Sequence, residues 1–286
     1  MTKQTYTQLL LLLPLLLILS CSRGSQSFDK LKAQGQKAFV ASDYKEAREY
    51  FIKALAIKPS DRDVLYLTGL CYKRDYVYDS ALSYLRRADL LYPGDKEINM
   101  EIYEAAVATK SWEFAARAVN SLIAAGEPLD KYLDVLVRIN LEMDEPLQVA
   151  YYLRKGVALK PDDPTYYLQL TNALVTCESL SAAVEVADEA IKRFGPKNEF
   201  IANRANLSAY QGDYATAEKQ FRSLIVSDTS RATDYKLNLA NVLSMQSKDK
   251  AKIREALDLY REIRPKVDSR YKVDSLIGVL EEQLKK

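Results

Sequence analysis

Residues 69–93 read GLCYKRDYVYDSALSYLRRADLLYP, and their spacing decides the fold. Gly69, Tyr72, Tyr78, Ala81, Leu85, Ala88 and Pro93 stand at positions that return along the chain. Ala81 belongs to a ladder of Ala47, Ala81, Ala115, Val149, Ala183 and Ala217, with rungs 34 residues apart. Tyr78 belongs to a second ladder of Tyr44, Tyr78, Trp112, Pro146, Leu180 and Tyr214. Pro59, Pro93, Pro128, Pro161 and Pro196 follow at intervals of 33 to 35. A fixed period of this size is the mark of a solenoid: each supersecondary unit is too small to bury a core alone and covers its apolar face with its neighbours.

Each position has a physical reason. Small residues such as Gly69, Ala81 and Ala88 let two helix axes approach to about 8–10 Å, where larger side chains push them apart. Tyr44 and Tyr78 fill the space beside them. Pro59, Pro93 and Pro161 stop a helix, because proline lacks the amide that the helix needs and disfavours helix in the residue before it. Many of the 20 tyrosines therefore belong to the core.

The unit around 69–93 resembles the tetratricopeptide repeat. So do Gly35, Tyr44, Ala47, Phe51, Ala54 and Pro59 before it, and Ala205, Gly212, Tyr214, Ala217, Phe221 and Leu224 after it. The resemblance covers about residues 28–265. It implies an all-α fold: a right-handed α-solenoid of about seven helix-turn-helix units, at 28–61, 62–95, 96–129, 130–163, 164–197, 198–232 and 233–266. The third and fourth units are degenerate, with Tyr103 and Val137 where glycine is expected. The seventh carries a short insertion near Ser247–Lys252. Residues 267–286 break the period, and Val273, Leu276, Ile277, Leu280 and Leu284 make one apolar stripe at helical spacing. That is the form of a helix capping the last open face.

The start of the chain carries a different signal. Leu9–Leu19 is apolar except at Pro14, too short for a bilayer span of roughly 20 residues but suited to a secretory signal. It ends in Ile18-Leu19-Ser20-Cys21, which resembles the lipobox of bacterial lipoproteins, although Leu19 is bulkier than the usual occupant. The resemblance implies cleavage of residues 1–20, a lipid on Cys21, and a tether over 21–27. Several acyl chains would anchor the protein stably. Ser22 after the cysteine points to the outer membrane, facing the periplasm, rather than the inner membrane.

Composition narrows the function. With 41 Lys/Arg against 39 Asp/Glu and a net charge of +2, no basic face for nucleic acid is implied. Residues 248–272 are locally basic, as a solvated helix face commonly is. Histidine is absent and there are only nine glycines. This argues against triad nucleophiles, histidine metal sites and phosphate loops, so no enzyme, metal or cofactor is expected beyond the covalent lipid. Cys71 and Cys177 fall three repeats apart, too far for a disulfide, and read as small buried residues of first helices.

Binding remains. The resemblance implies that first helices line a concave groove. In the last three repeats two positions of that helix are all amides: Gln169 and Asn172, Asn203 and Asn206, Asn238 and Asn241. Members of each pair are three residues apart and share a helical face. Amides can both donate and accept, which suits the backbone of an extended peptide; they suit hydrogen bonds to a neighbouring repeat equally well. Tyr210 falls at another groove position. Chaperone-binding members of the family hold a partner's C-terminus with a clamp of Lys and Asn. Here Lys32 and Gln36 match, but Leu70 replaces the next Asn, so the clamp is incomplete. The N-terminal groove instead offers Phe39, Tyr66, Leu70 and Lys73, an apolar and basic surface. The expectation is a membrane-anchored scaffold that binds a protein or peptide of the bacterial envelope, such as pilus, exopolysaccharide-export or cell-wall machinery. Pilus-assembly pilotins are lipoproteins with similar repeats. The alternative is a glycan-binding module, which requires Tyr66, Tyr166 and Tyr210 exposed together as stacking platforms.

Overall fold

The computed structural model describes residues 27–285, all helix and turn, with no strand among them. Cys21, the signal segment 1–20 and the tether up to residue 26 lie outside the described residues. The helices fall into two compact units, one up to Asp144 and one from Glu145 on. The first holds α1 (27–40), α2 (Tyr44–Ile57), α3 (Arg62–Arg74), α4 (Tyr78–Leu91), α5 (Lys96–Ala108), α6 (Trp112–Ala124) and α7 (Leu133–Glu142). The second holds α8 (Pro146–Leu159), α9 (Pro164–Thr176), α10 (Leu180–Phe194), α11 (Asn198–Tyr210), α12 (Tyr214–Ser227), α13 (Ala232–Met245), α14 (Lys250–Ile263) and α15 (Val273–Lys285). In each unit consecutive helices pack as antiparallel hairpins stacked side by side.

Local chemistry sets the helix ends. The side chains of Asp43, Asp61, Asp95, Asp163, Asp213 and Asp249 each accept a hydrogen bond from an amide of the first turn, a cap worth about 1 kcal/mol. Inside the hairpins a third 34-residue ladder appears. Ser42, Tyr76, Lys110, Asp144, Glu178 and Gly212 all have positive φ, between 55° and 83°. At five of these turns the amide just after that residue closes back onto the last turn of the helix, as in Val77 N–H to Tyr72 O at 2.9 Å and Asp213 N–H to Ser208 O at 2.9 Å. This is the Schellman closure, which requires a left-handed residue just past the helix. In the seventh hairpin Gln246 has φ −86°, and the turn is lengthened to residues 246–249.

The core follows the small-residue ladder: Ala47, Ala81, Ala115, Val149, Ala183 and Ala217 are all buried. Gly69 is required by close approach, because a Cβ there would lie 2.6 Å from Leu85 Cγ. One on Gly35 would meet Phe51 Cε1 at 2.5 Å. The five prolines sit two to four residues beyond the ends of α2, α4, α6, α8 and α10. In α15, Val273 and Leu280 are buried while Leu276, Ile277 and Leu284 pack partly buried on the same core as α13 and α14. Both Cys71 and Cys177 are free thiols. Cys71 is buried inside α3, whereas Cys177 is half-buried and sits just past the end of α9.

Candidate functional site

In the second unit α9 and α11 lie side by side, as do α11 and α13. The amide pairs stand on these three first helices. Gln169 and Asn172 are exposed, and Asn203, Asn206, Asn238 and Asn241 are half-buried. Asn203 Nδ2 donates to Asn172 Oδ1 at 3.1 Å, so these two amides face one another across α9 and α11. Asn241 is spent differently: its Oδ1 accepts from the hydroxyl of Tyr260 at 2.7 Å. Tyr260 is completely buried, and burial pushes its phenol pKa up. Asn241 therefore satisfies a core hydroxyl and belongs to the packing of α13 on α14. Gln169, Asn206 and Asn238 make no side-chain hydrogen bond among the described residues. Tyr210, at the end of α11, is 56% exposed.

The three tyrosines of the glycan alternative do not form an exposed set. Tyr210 is exposed, Tyr66 is half-buried, and Tyr166 is only 3% exposed. The Tyr166 ring fills the space over Gly156, where a Cβ would collide with it.

The first unit corrects the expectation of a basic N-terminal surface. Lys73 is bound by Glu101 and Glu104. Lys32 is held by Asp61 at 3.2 Å and Asp63 at 2.9 Å. Arg62 Nη2 contacts Asp95 at 2.5 Å and Glu97 at 3.1 Å. Tyr66 lies beneath Arg62, 5.3 Å from guanidinium to ring. Burial, followed by the charges of Glu101 and Glu97, pushes its phenol pKa up to about 12. The charges on this face are therefore neutralised in pairs that run from one repeat to the next. Asp61 and Asp95 serve twice, as helix caps and as ion-pair partners. Sequence reasoning missed this device, although Asp61/Asp95 and Asp63/Glu97 carry the same 34-residue spacing as the ladders above.

A family model described as tetratricopeptide repeat matches residues 32–96. That stretch is similar to the tetratricopeptide repeat family. Among proteins with curated descriptions, none matches the chain. Of solved structures, Naa15/Naa10 bound to HypK-THB resembles it with a TM-score of 0.62 at 15% identity, covering 87% of this chain and 39% of that one. A tetratricopeptide repeat protein from Parabacteroides merdae gives 0.48 at 12% identity, covering 90% and 99%. The structure of Pseudomonas aeruginosa pilF gives 0.35 at 18% identity, covering 72% and 94%. At 15% identity the first of these likenesses concerns the fold alone, an all-α solenoid of tetratricopeptide type. A fold of this kind supports binding of protein or peptide partners.

Proposed function

We propose that this protein is a lipid-anchored interaction scaffold of the bacterial envelope, holding an extended segment of a partner along the first helices α9, α11 and α13. The observation that carries the peptide site is the set of unspent amides on adjacent helices, Gln169, Asn206 and Asn238, beside exposed Tyr210. A strand-like segment needs donors and acceptors at regular intervals, and an amide supplies both. The Asn172–Asn203 pair sits within the same row and keeps the NH2 of Asn172 and the carbonyl oxygen of Asn203 to spare. The peptide reading is preferred to glycan because buried Tyr166 offers no stacking face. The anchor rests on the apolar run Leu9–Leu19 ending at Cys21, and Ser22 favours the outer membrane. Client machinery of the pilus, polysaccharide-export or cell-wall type would be gathered close to that membrane by so short a tether.

The test is photocrosslinking in the native envelope with a benzophenone residue at position 210, followed by mass spectrometry. A crosslinked protein that disappears with Gln169→Ala/Asn206→Ala/Asn238→Ala supports the site. The same crosslink surviving the triple substitution removes it. Asn241 is left intact because its loss would unsettle Tyr260. Radiolabelled palmitate incorporation that is abolished by Cys21→Ala tests the anchor separately, and incorporation that persists refutes it.

A further inference from the structure

A second surface lies on the opposite class of helix. In the first unit the second helices α4 and α6 flank a groove of about 960 Å³ whose floor is α5. Leu82, Leu90, Ile102 and Phe114 give it an apolar lining, and Leu90 is 83% exposed. At its centre two guanidiniums share one ring: Arg86 lies 3.6 Å and Arg117 4.8 Å from the centroid of Phe114. Among the described residues neither arginine forms an ion pair, although both lie over the same ring.

This arrangement is unsatisfied in a specific way. A guanidinium stacked on an aromatic face keeps its in-plane N–H fork free for a carboxylate. Two cations on one ring repel each other, and carboxylates of one segment reaching both forks offset that repulsion. The carboxylates of the groove do not fill this role. Asp89 accepts from the buried amide of Asn99 at 2.8 Å. Asp79 lies in the first turn of α4, at the other end of the groove, where the helix dipole favours a negative charge. Arg87 is turned aside, donating to Pro59 O at 3.4 Å.

From this we infer that the α4–α6 groove is a docking site for an acidic peptide segment, one that places carboxylates on Arg86 and Arg117 and an apolar side chain beside Leu82 and Phe114. A concave, partly apolar channel with a central cationic pair suits a chain segment better than a flat lipid surface. The site is independent of the amide row on α9, α11 and α13.

The experiment is peptide-display selection on the full chain in detergent, with affinities of the enriched peptides measured by fluorescence anisotropy. The expected result is enrichment of sequences combining Asp or Glu with a large apolar residue. Their binding should weaken about ten-fold or more in Arg86→Gln/Arg117→Gln, the loss expected for two charge-assisted contacts. Arg86→Lys/Arg117→Lys should fall between, having charge without the fork. Hydrogen exchange on the complex should show protection over α4 and α6. Both arginines are exposed, so unchanged circular dichroism is expected of the variants. No acidic enrichment overturns the inference, as do acidic peptides that bind the Gln variant equally well or protection elsewhere. So does arginine-dependent binding to phosphatidylglycerol vesicles without binding of acidic peptides.

Discussion

Replacing Gly69 by alanine tests whether the repeat spacing is set by contact between helices. In an open helix the substitution stabilises by about 1 kcal/mol, because glycine loses more backbone entropy on folding. Gly278 in α15 is such a case, with nothing within 4 Å of where the added methyl would stand. At Gly69 the same methyl would stand 2.6 Å from Leu85 Cγ and 2.8 Å from its Cδ2. Carbon atoms prefer about 3.5–4.0 Å, so the overlap is about 1 Å. Leu85 is fully buried and cannot retreat into solvent. Overpacking of this kind costs about 1–3 kcal/mol. The net expectation is that Gly278→Ala gains about 1 kcal/mol while Gly69→Ala loses up to about 2 kcal/mol. Urea unfolding followed by far-UV circular dichroism measures both, read as a change in midpoint at constant slope. A double-mutant cycle sharpens the test. Leu85→Ala alone should cost about 2–5 kcal/mol, and the double variant should cost less than the sum of the singles by about 1–3 kcal/mol, the clash removed. Additive effects within about 0.5 kcal/mol, or a stabilising Gly69→Ala, would refute the reasoning.

Other outcomes follow from the same contacts. Asn241→Ala should cost about 1–3 kcal/mol by removing the side-chain acceptor of the buried Tyr260 hydroxyl, and Tyr260→Phe in that background should recover much of it. Asn206→Ala should stay within about 0.5 kcal/mol of the parent in the same urea titration, and a larger loss would make it a structural amide. At Asp95, burial pushes the carboxyl pKa up, but the Arg62 hydrogen bond and the Ile98 amide outweigh it and hold the group below the usual carboxylate range. A lowered folded value means stability that is present above the unfolded pKa of about 3.9 and lost as pH falls through the folded one. Asp95→Asn keeps a cap and should flatten that acid limb in pH-dependent unfolding. Cys71, buried and with its thiol pushed up to about 12 by desolvation, should resist iodoacetamide in the folded protein. Cys177 should react faster, as peptide mapping would show. Lys110→Gly and Glu178→Gly relieve left-handed strain of about 1–2 kcal/mol, offset partly by glycine's entropy, and should raise the urea midpoint slightly.

The sequence by itself determined the helices and their pairing. A period of 34 is written in residues whose identity answers to close neighbours: alanine and glycine at crossings, tyrosine beside them, proline past helix ends. Such preferences are local, so they survive reading without coordinates. The capping stripe of α15 was legible for the same reason. What each polar group does with its hydrogen bonds was left to the tertiary structure, because that depends on partners on neighbouring helices and hairpins. Asn172, Asn203, Asn206, Asn238 and Asn241 read alike in sequence. Only packing separates Asn241, which serves a core phenol, from Asn206 and Asn238, which serve nothing within the described chain. Lys73 reads as a free cation in the sequence, but stacking brings Glu101 and Glu104 of the next hairpin onto it. Arg86 and Arg117, 31 residues apart and ordinary in composition, become a pair because α4 and α6 set them against a single ring. The linear code specifies where helices begin, cross and stop; the balance of charges and hydrogen bonds across neighbouring repeats exists only once they are stacked.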